Sequence, residues 1–203
     1  METRAEFAWQ GLTLEVPEDW NLGRVDGDFE KGYARLDDAE IVRLELEWRR
    51  VRGRGEVLRL TELVDRYLEN LKKKADKAGA SFSVERRAKF IKDKEWLEDS
   101  DYETFTWEAD YRAYNLARAC PACGRIVLLR VLGRLDEKLD DLIEAIFPTL
   151  HDHPRDDQVF WSVYGLRFFM PAGFTLNEHE LKSGHIQLTF EQGKEICRVQ
   201  RLS

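Results

Sequence analysis

The feature that most constrains the fold of this chain is a stretch of sequence that occurs twice. Five positions match at one offset without a gap: Gly11, Leu12, Pro17, Trp20 and Leu22 correspond to Gly165, Leu166, Pro171, Phe174 and Leu176. Beyond a short insertion, the segments 31–36 and 40–44 match 183–188 and 195–199 in the same order. An ordered set of matches of this kind indicates an internal repeat. The chain therefore contains a strand-rich module that begins twice.

The start of the module has the pattern of three strands followed by a helix. Leu12, Leu14 and Val16 alternate with polar residues, as a half-buried strand requires. Two further strands are predicted at 32–36 and 41–48. From Leu60 to Leu71, apolar residues recur at the i, i+3, i+4, i+7 spacing of a helix that buries one face.

More strands follow before a second helix, which Asp136 is predicted to cap. The predicted fold class is α+β, an antiparallel sheet packed with two helices in the order βββ-α-βββ-α. Residues 1–150 are expected to form this module, 151–158 a linker, and 159–203 a partial repeat of its first three strands. Because three strands need a covered apolar face, the partial repeat is expected to dock on the module or on another chain.

The segment from Gly11 to Trp20, and its second copy from Gly165 to Phe174, resemble the opening of the Mog1/PsbP-like fold. The shared features are a strand, a Pro-x-x-aromatic step, two more strands and a helix. The resemblance implies an antiparallel sheet between helices. Members of that fold act as unrelated binding or assembly factors, so the resemblance implies neither a specific activity nor a catalytic residue.

Composition narrows the classes of partner. The net charge is −7, and basic residues are interleaved with acids, which argues against a nucleic-acid-binding surface. No apolar run is long enough to cross a bilayer, and the N-terminus lacks the pattern of a signal peptide. With three cysteines, a reducing cytoplasmic location is expected. The 35% of charged residues is a bias reported for heat-adapted proteins, so a thermophilic source is predicted.

The motif with the clearest chemical mechanism is Cys120-Pro-Ala-Cys123-Gly124. In one interpretation it is a zinc knuckle, a tight turn that directs two thiolates toward a metal. In the other it is a redox pair, which needs the first cysteine at a helix N-terminus to lower its pKa. The residues after Gly124 have the pattern of a strand, and this favours the zinc knuckle.

A structural zinc site needs four ligands, so two are missing from the motif. His151 and His153 could supply them, because the His-x-His spacing can chelate a metal. Alternatively, the same turn of a second chain could supply them in a homodimer. Cys197 aligns with Val42 in the repeat and is expected to pack like a small apolar residue. A third interpretation is a tight hairpin with free thiols and no metal.

The sequence lacks G-x-S-x-G, a phosphate-binding glycine loop and H-E-x-x-H. The function predicted is that of a non-enzymatic binding or scaffold protein with a structural zinc knuckle and an unknown protein partner. The alternative is a thiol-disulfide redox protein that uses Cys120 and Cys123. A zinc enzyme with an open coordination position is a third hypothesis, and it needs a further protein ligand.

Overall fold

The computed structural model describes residues 3–51, 60–154 and 156–202. Within these residues the protein is mostly β, with fourteen strands in three antiparallel sheets and only two helices. The predicted α+β arrangement βββ-α-βββ-α, followed by three strands, is therefore wrong. Each copy of the repeat opens with five strands and not three. The two additional strands of the first copy are residues 4–9 and 21–27, which are extended and paired with neighbouring strands.

The first copy of the repeat and the elements after it are β1 (Arg4–Trp9), β2 (Leu12–Pro17), β3 (Asn21–Gly27), β4 (Lys31–Asp37), β5 (Val42–Arg50), α1 (Leu60–Ala78), β6 (Ser83–Arg86), β7 (Asp101–Glu108), β8 (Arg112–Ala119), β9 (Arg125–Gly133) and α2 (Asp140–Ile146). The second copy comprises β10 (Gln158–Val163), β11 (Leu166–Pro171), β12 (Thr175–Lys182), β13 (His185–Gln192) and β14 (Glu195–Leu202). Short 3-10 turns lie at Glu95–Leu97 and Phe147–Thr149.

The repeat is visible as two hairpins with equivalent boundaries. β1 pairs with β2 along its whole length, and β10 pairs with β11 in the same register. The first turn contains Gln10 at φ 52° and Gly11 at φ 78°, and the second contains Tyr164 at φ 49° and Gly165 at φ 73°. Two successive residues with positive φ form the turn whose twist suits a two-residue hairpin. The matched glycines of the sequence are therefore turn residues.

One compact unit comprises Met1–Glu18 and Thr149–Ser203. It contains a four-stranded sheet in the order β11-β10-β1-β2 and a three-stranded sheet in the order β12-β13-β14. The ring of Trp161 meets Trp9 edge-on at 5.1 Å and Phe190 at 4.9 Å between centroids. Because all three side chains are almost fully buried, these rings form the core of this unit.

The other unit, Asp19–Pro148, is built on a seven-stranded sheet in the order β3-β4-β5-β9-β8-β7-β6. On one face, Val64 and Leu68 of α1 pack in a buried cluster with Phe105 and Ala117. Tyr114 points to the opposite face, because successive residues of a strand alternate between faces. There, Phe90 contacts the rings of both Tyr114 and Phe147. The sheet is therefore covered on both faces at β8.

The two helices differ in how well the sequence predicts them. α1 carries the predicted apolar stripe and ends immediately before Gly79, which has φ +67°. α2 begins at Asp140 with Leu139 at its N-cap, so the prediction that Asp136 caps this helix is wrong. The Glu137 carboxylate accepts a hydrogen bond from the Arg134 N–H at 3.1 Å and therefore holds this segment in a turn.

Candidate metal centre

The Cys120 motif forms the connection between β8 and β9. The Cys120 N–H donates to the Arg125 carbonyl at 2.8 Å, and the Gly124 N–H donates to the Cys120 carbonyl at 3.0 Å. Gly124 has φ +70°, a conformation that strains any residue with a Cβ atom. These features close a tight turn with one cysteine at its start and the other just before the glycine. Cys120 is 5% exposed, and Cys123 is half-buried.

The base of this hairpin is fixed by a buried arginine. Arg125 has no exposed surface, and its guanidinium lies 3.5 Å above the ring of Phe29. Its Nε and Nη2 both donate to the Phe29 carbonyl, at 2.9 and 2.7 Å. The Val51 N–H adds a bond to the Gly124 carbonyl at 2.9 Å. The turn is therefore attached to neighbouring loops by its backbone and by Arg125.

Asp152 and His153 lie in the segment that follows the 3-10 turn Phe147–Thr149. The Asp152 side chain is only 3% exposed, whereas that of His153 is 39% exposed. The Nδ1 atom of His153 lies 3.2 Å from Oδ1 of Asp152. Carboxylates are seldom buried unless they are paired or bind a metal. Asp152 is thus a buried carboxylate that is paired with the His153 ring.

Four side chains form a group that could hold a metal ion: Cys120, Cys123, Asp152 and His153. One ligand atom from each residue lies within 4.8 Å of the others. Two sulfurs, one nitrogen and one oxygen are a donor set that zinc accepts. In a tetrahedral zinc site, ligand atoms are roughly 3.3 to 3.8 Å apart, as follows from Zn–ligand bonds of about 2.0 to 2.3 Å. The 4.8 Å limit within which the four ligand atoms lie is longer than this range.

The two histidines predicted as ligands have different positions. His153 belongs to the group with Cys120 and Cys123, and Asp152 is the fourth member. His151 pairs through its backbone with Thr13, with N–H to carbonyl distances of 2.9 and 3.0 Å. Asp152 is not among the predicted ligands, because residues 151–158 have the polar composition of a solvated linker. The sequence feature that comes closest to indicating Asp152 as a ligand is its position between His151 and His153. That pattern is also common on protein surfaces that bind no metal.

No model of a known protein family matches this chain, and no curated protein matches it either. The resemblance to the Mog1/PsbP-like fold stays a prediction. Neither of the helices in the described part of the chain is long and apolar enough to cross a bilayer.

Proposed function

We propose that this chain is a zinc-binding, non-enzymatic scaffold or binding protein in which the metal stabilises the turn between β8 and β9. The observation that carries the proposal is the group of Cys120, Cys123, Asp152 and His153, whose ligand atoms lie within 4.8 Å of one another. Zinc would bind the two thiolates, one ring nitrogen of His153 and one carboxylate oxygen of Asp152.

The donor set favours a structural role for the metal. Four protein ligands fill the tetrahedral coordination of zinc, whereas a catalytic zinc keeps one position for water or substrate. Cys120 and Asp152 are both largely shielded from solvent, which limits access of a substrate to the metal. The His153–Asp152 contact would also orient the imidazole ring, because a hydrogen bond at one ring nitrogen determines which nitrogen is free to bind metal.

Metal would also offset the charge of this group. Two thiolates and a carboxylate carry three negative charges, and zinc supplies two positive ones. Such ligands must be deprotonated to bind, so metal binding releases protons and contributes to the free energy of folding. This coupling gives a metal at the Cys120 turn a direct influence on the rigidity of the hairpin and on any surface that it presents to a protein partner.

The alternative is a thiol-disulfide redox protein that uses Cys120 and Cys123. The observation in its favour is the proximity of the two cysteines in one turn. The secondary structure is less favourable, because the turn joins β8 to β9 and is not followed by a helix whose dipole would stabilise a thiolate. A redox function predicts a reversible disulfide between these residues and turnover of a disulfide substrate.

Metal content of untagged protein, measured by mass spectrometry, tests the proposal. We expect about one zinc per chain, or about half of one if a homodimer shares a site between two turns. Cys120→Ser and Cys123→Ser should abolish binding, and His153→Ala should weaken it. Matched controls are Cys197→Ser and His151→Ala, which should keep the zinc content of the natural protein.

A second readout uses Co²⁺ in place of zinc, because thiolate-to-cobalt charge-transfer bands count the sulfur ligands. The bands should be lost in both cysteine variants and should persist in Asp152→Asn, with altered intensity. A protein that takes up neither metal, while its Cys120 and Cys123 form a reversible disulfide, would rule out the zinc site and support the redox alternative.

A further inference from the structure

A cavity of about 630 Å³ lies in the Asp19–Pro148 unit, between α1 and one face of the seven-stranded sheet. Its apolar wall includes Val64 and Tyr67 of α1 and Phe105, Ala117 and Leu128 of the sheet. This volume is within the range of pockets that bind small molecules. The cavity contains none of the four candidate metal ligands.

The cavity exists because the helix covers only part of the sheet. α1 packs against β7 and β8, where it buries Phe105 and Ala117. On the same face, β9 brings Leu128 opposite Ala117, and β5 brings Glu47 opposite Leu128. The sheet surface thus changes from apolar to polar as it extends from beneath α1 toward β4. The cavity lies at this change and has an apolar wall on one side and charged residues on the other.

The charged residues include two cations placed side by side. Lys31 of β4 lies directly opposite Arg49 of β5 in the strand register, and both line the cavity. Like charges at opposite positions of an antiparallel pair destabilise the sheet. Within residues 3–51, 60–154 and 156–202, neither side chain has an ion-pair partner. Such a pair is unusual in a chain of net charge −7, and it would be stabilised by an anion.

The two acidic residues that line the cavity already have other contacts. Glu47 accepts a hydrogen bond from Nη2 of Arg130 at 3.3 Å. Asp26 accepts a hydrogen bond from the Gly27 N–H at 2.7 Å, and its Oδ2 atom lies 3.6 Å from Nη2 of Arg24. Their charges are therefore partly balanced by neighbours, whereas Lys31 and Arg49 have no ion-pair partner in the part of the chain that the structure describes. The electrostatic balance at this edge of the cavity favours a negatively charged ligand.

We propose that this cavity binds a small amphiphilic carboxylate, such as a fatty acid. The hydrocarbon part would lie against Val64, Phe105 and Leu128, where it removes apolar surface from water. The carboxylate would lie at Lys31 and Arg49, and the guanidinium can bind both of its oxygens. An amphiphilic carboxylate matches both the apolar wall and the pair of cations. A purely apolar ligand or an amphiphilic cation matches only the apolar wall.

Isothermal titration calorimetry with laurate, below its micelle-forming concentration, tests the proposal. We expect one laurate per chain and binding at least about tenfold weaker for laurylamine, which has the same hydrocarbon chain and the opposite charge. Absence of laurate binding, or equal affinity for laurylamine, would overturn the proposal.

Variants separate the head-group contacts from the apolar wall. Lys31→Gln combined with Arg49→Gln should weaken laurate at least about tenfold and leave the weaker binding of lauryl alcohol unchanged. Leu63 of α1 is half-buried and lines the cavity. Leu63→Trp should obstruct the cavity and reduce the binding of both laurate and lauryl alcohol. Lys194→Gln, in the exposed turn before β14, is the matched charge control. Unaltered laurate affinity in the double variant contradicts the assigned carboxylate site.

This test is independent of the zinc proposal. Zinc content should stay unchanged in the Lys31, Arg49 and Leu63 variants, and laurate affinity should stay unchanged in Cys123→Ser. Loss of one property without the other would show which of the two proposals fails.

Discussion

Ala8 of β1 lies directly opposite Ser162 of β10, and the two residues occupy the same position in the two copies of the repeat. When equivalent residues of equivalent antiparallel strands face each other, a local two-fold axis passes between them. The first hairpins of the two copies are therefore paired with each other in one four-stranded sheet. This pairing removes one exposed edge from each hairpin, which would otherwise present unpaired backbone groups.

The two-fold relationship provides a precise test of one hydrogen bond. The Ser162 hydroxyl donates to the Glu6 carbonyl at 2.5 Å, and alanine already stands at the equivalent position of the first copy. Ser162→Ala should therefore fit without strain and lower the free energy of unfolding by about 1 kcal/mol. Urea denaturation measures this change. Ser183→Ala, in an exposed turn, is the control, and an equal midpoint for both variants would contradict the prediction.

The sequence predicts the repeat but not all of its strands, for reasons that differ from strand to strand. In β1, Phe7, Ala8 and Trp9 are all buried, so the alternation that identifies a half-buried strand is absent. In β3, Leu22 is the sole buried residue, because this strand lies at the edge of the seven-stranded sheet and both of its faces are largely exposed. Periodicity detects strands with one buried face, and these strands have two buried faces or none.

The candidate site was predictable to the extent that it depends on local spacing. Cys120 and Cys123 are recognisable from the C-x-x-C spacing, and His153 from its position in a short histidine pair. Asp152 was not predictable, because its burial depends on the path of the chain after α2. That path is guided by the backbone pairing of His151 with Thr13, a residue distant in sequence. Tertiary contacts of this kind leave no local pattern.

A buried ion pair at the centre of the seven-stranded sheet should show strong coupling between its partners. Arg130 is 7% exposed, donates to the Glu45 carboxylate, and lies 4.8 Å above the ring of Tyr67. Arg130→Met alone leaves the Glu45 charge without its cation and should lower the free energy of unfolding by about 3 to 5 kcal/mol. Adding Glu45→Met should restore part of that loss, because the second substitution removes the uncompensated charge.

The measurement for this pair is a double-mutant cycle by urea denaturation. We expect a coupling energy of at least about 1 kcal/mol between the two positions. Glu47 is a useful comparison, because its side chain is 49% exposed and water can solvate its carboxylate. Glu47→Met combined with Arg130→Met should show a much smaller coupling. Additive losses for Arg130 and Glu45 would contradict the assignment of a buried, mutually stabilising pair.

Asp38 should contribute to the acid dependence of stability. Burial of its carboxylate raises its pKa, but the N–H groups of Ile41 and Glu40 and the guanidinium of Arg43 outweigh burial and lower the pKa to about 2. Since the pKa of an unfolded aspartate is about 3.9, this stabilisation is complete above about pH 5 and is lost progressively as the pH falls toward 2. The free energy of unfolding of the natural protein should therefore decrease as the pH falls toward 2.

Asp38→Asn removes the charge and should cost about 1.5 to 3 kcal/mol at neutral pH, the contribution of hydrogen bonds to a charged group. Its stability should fall less between pH 4 and pH 2 than that of the natural protein. Urea midpoints over this range measure the difference. Asp136→Asn, at an exposed turn position, should follow the natural protein, and equally steep curves for all three proteins would contradict the role of Asp38.

If zinc has a structural role at the Cys120 turn, then its removal should lower thermal stability. A ligand that binds only the folded state adds stability that grows with its concentration, about 2.7 kcal/mol at one hundred times its dissociation constant. The melting temperature should therefore fall on treatment with a chelator and recover when zinc is returned. Cys123→Ser should melt at the same temperature with and without the chelator, whereas Cys197→Ser should respond as the natural protein does. A zinc-loaded protein whose melting temperature is insensitive to chelation would show that bound metal has no structural role.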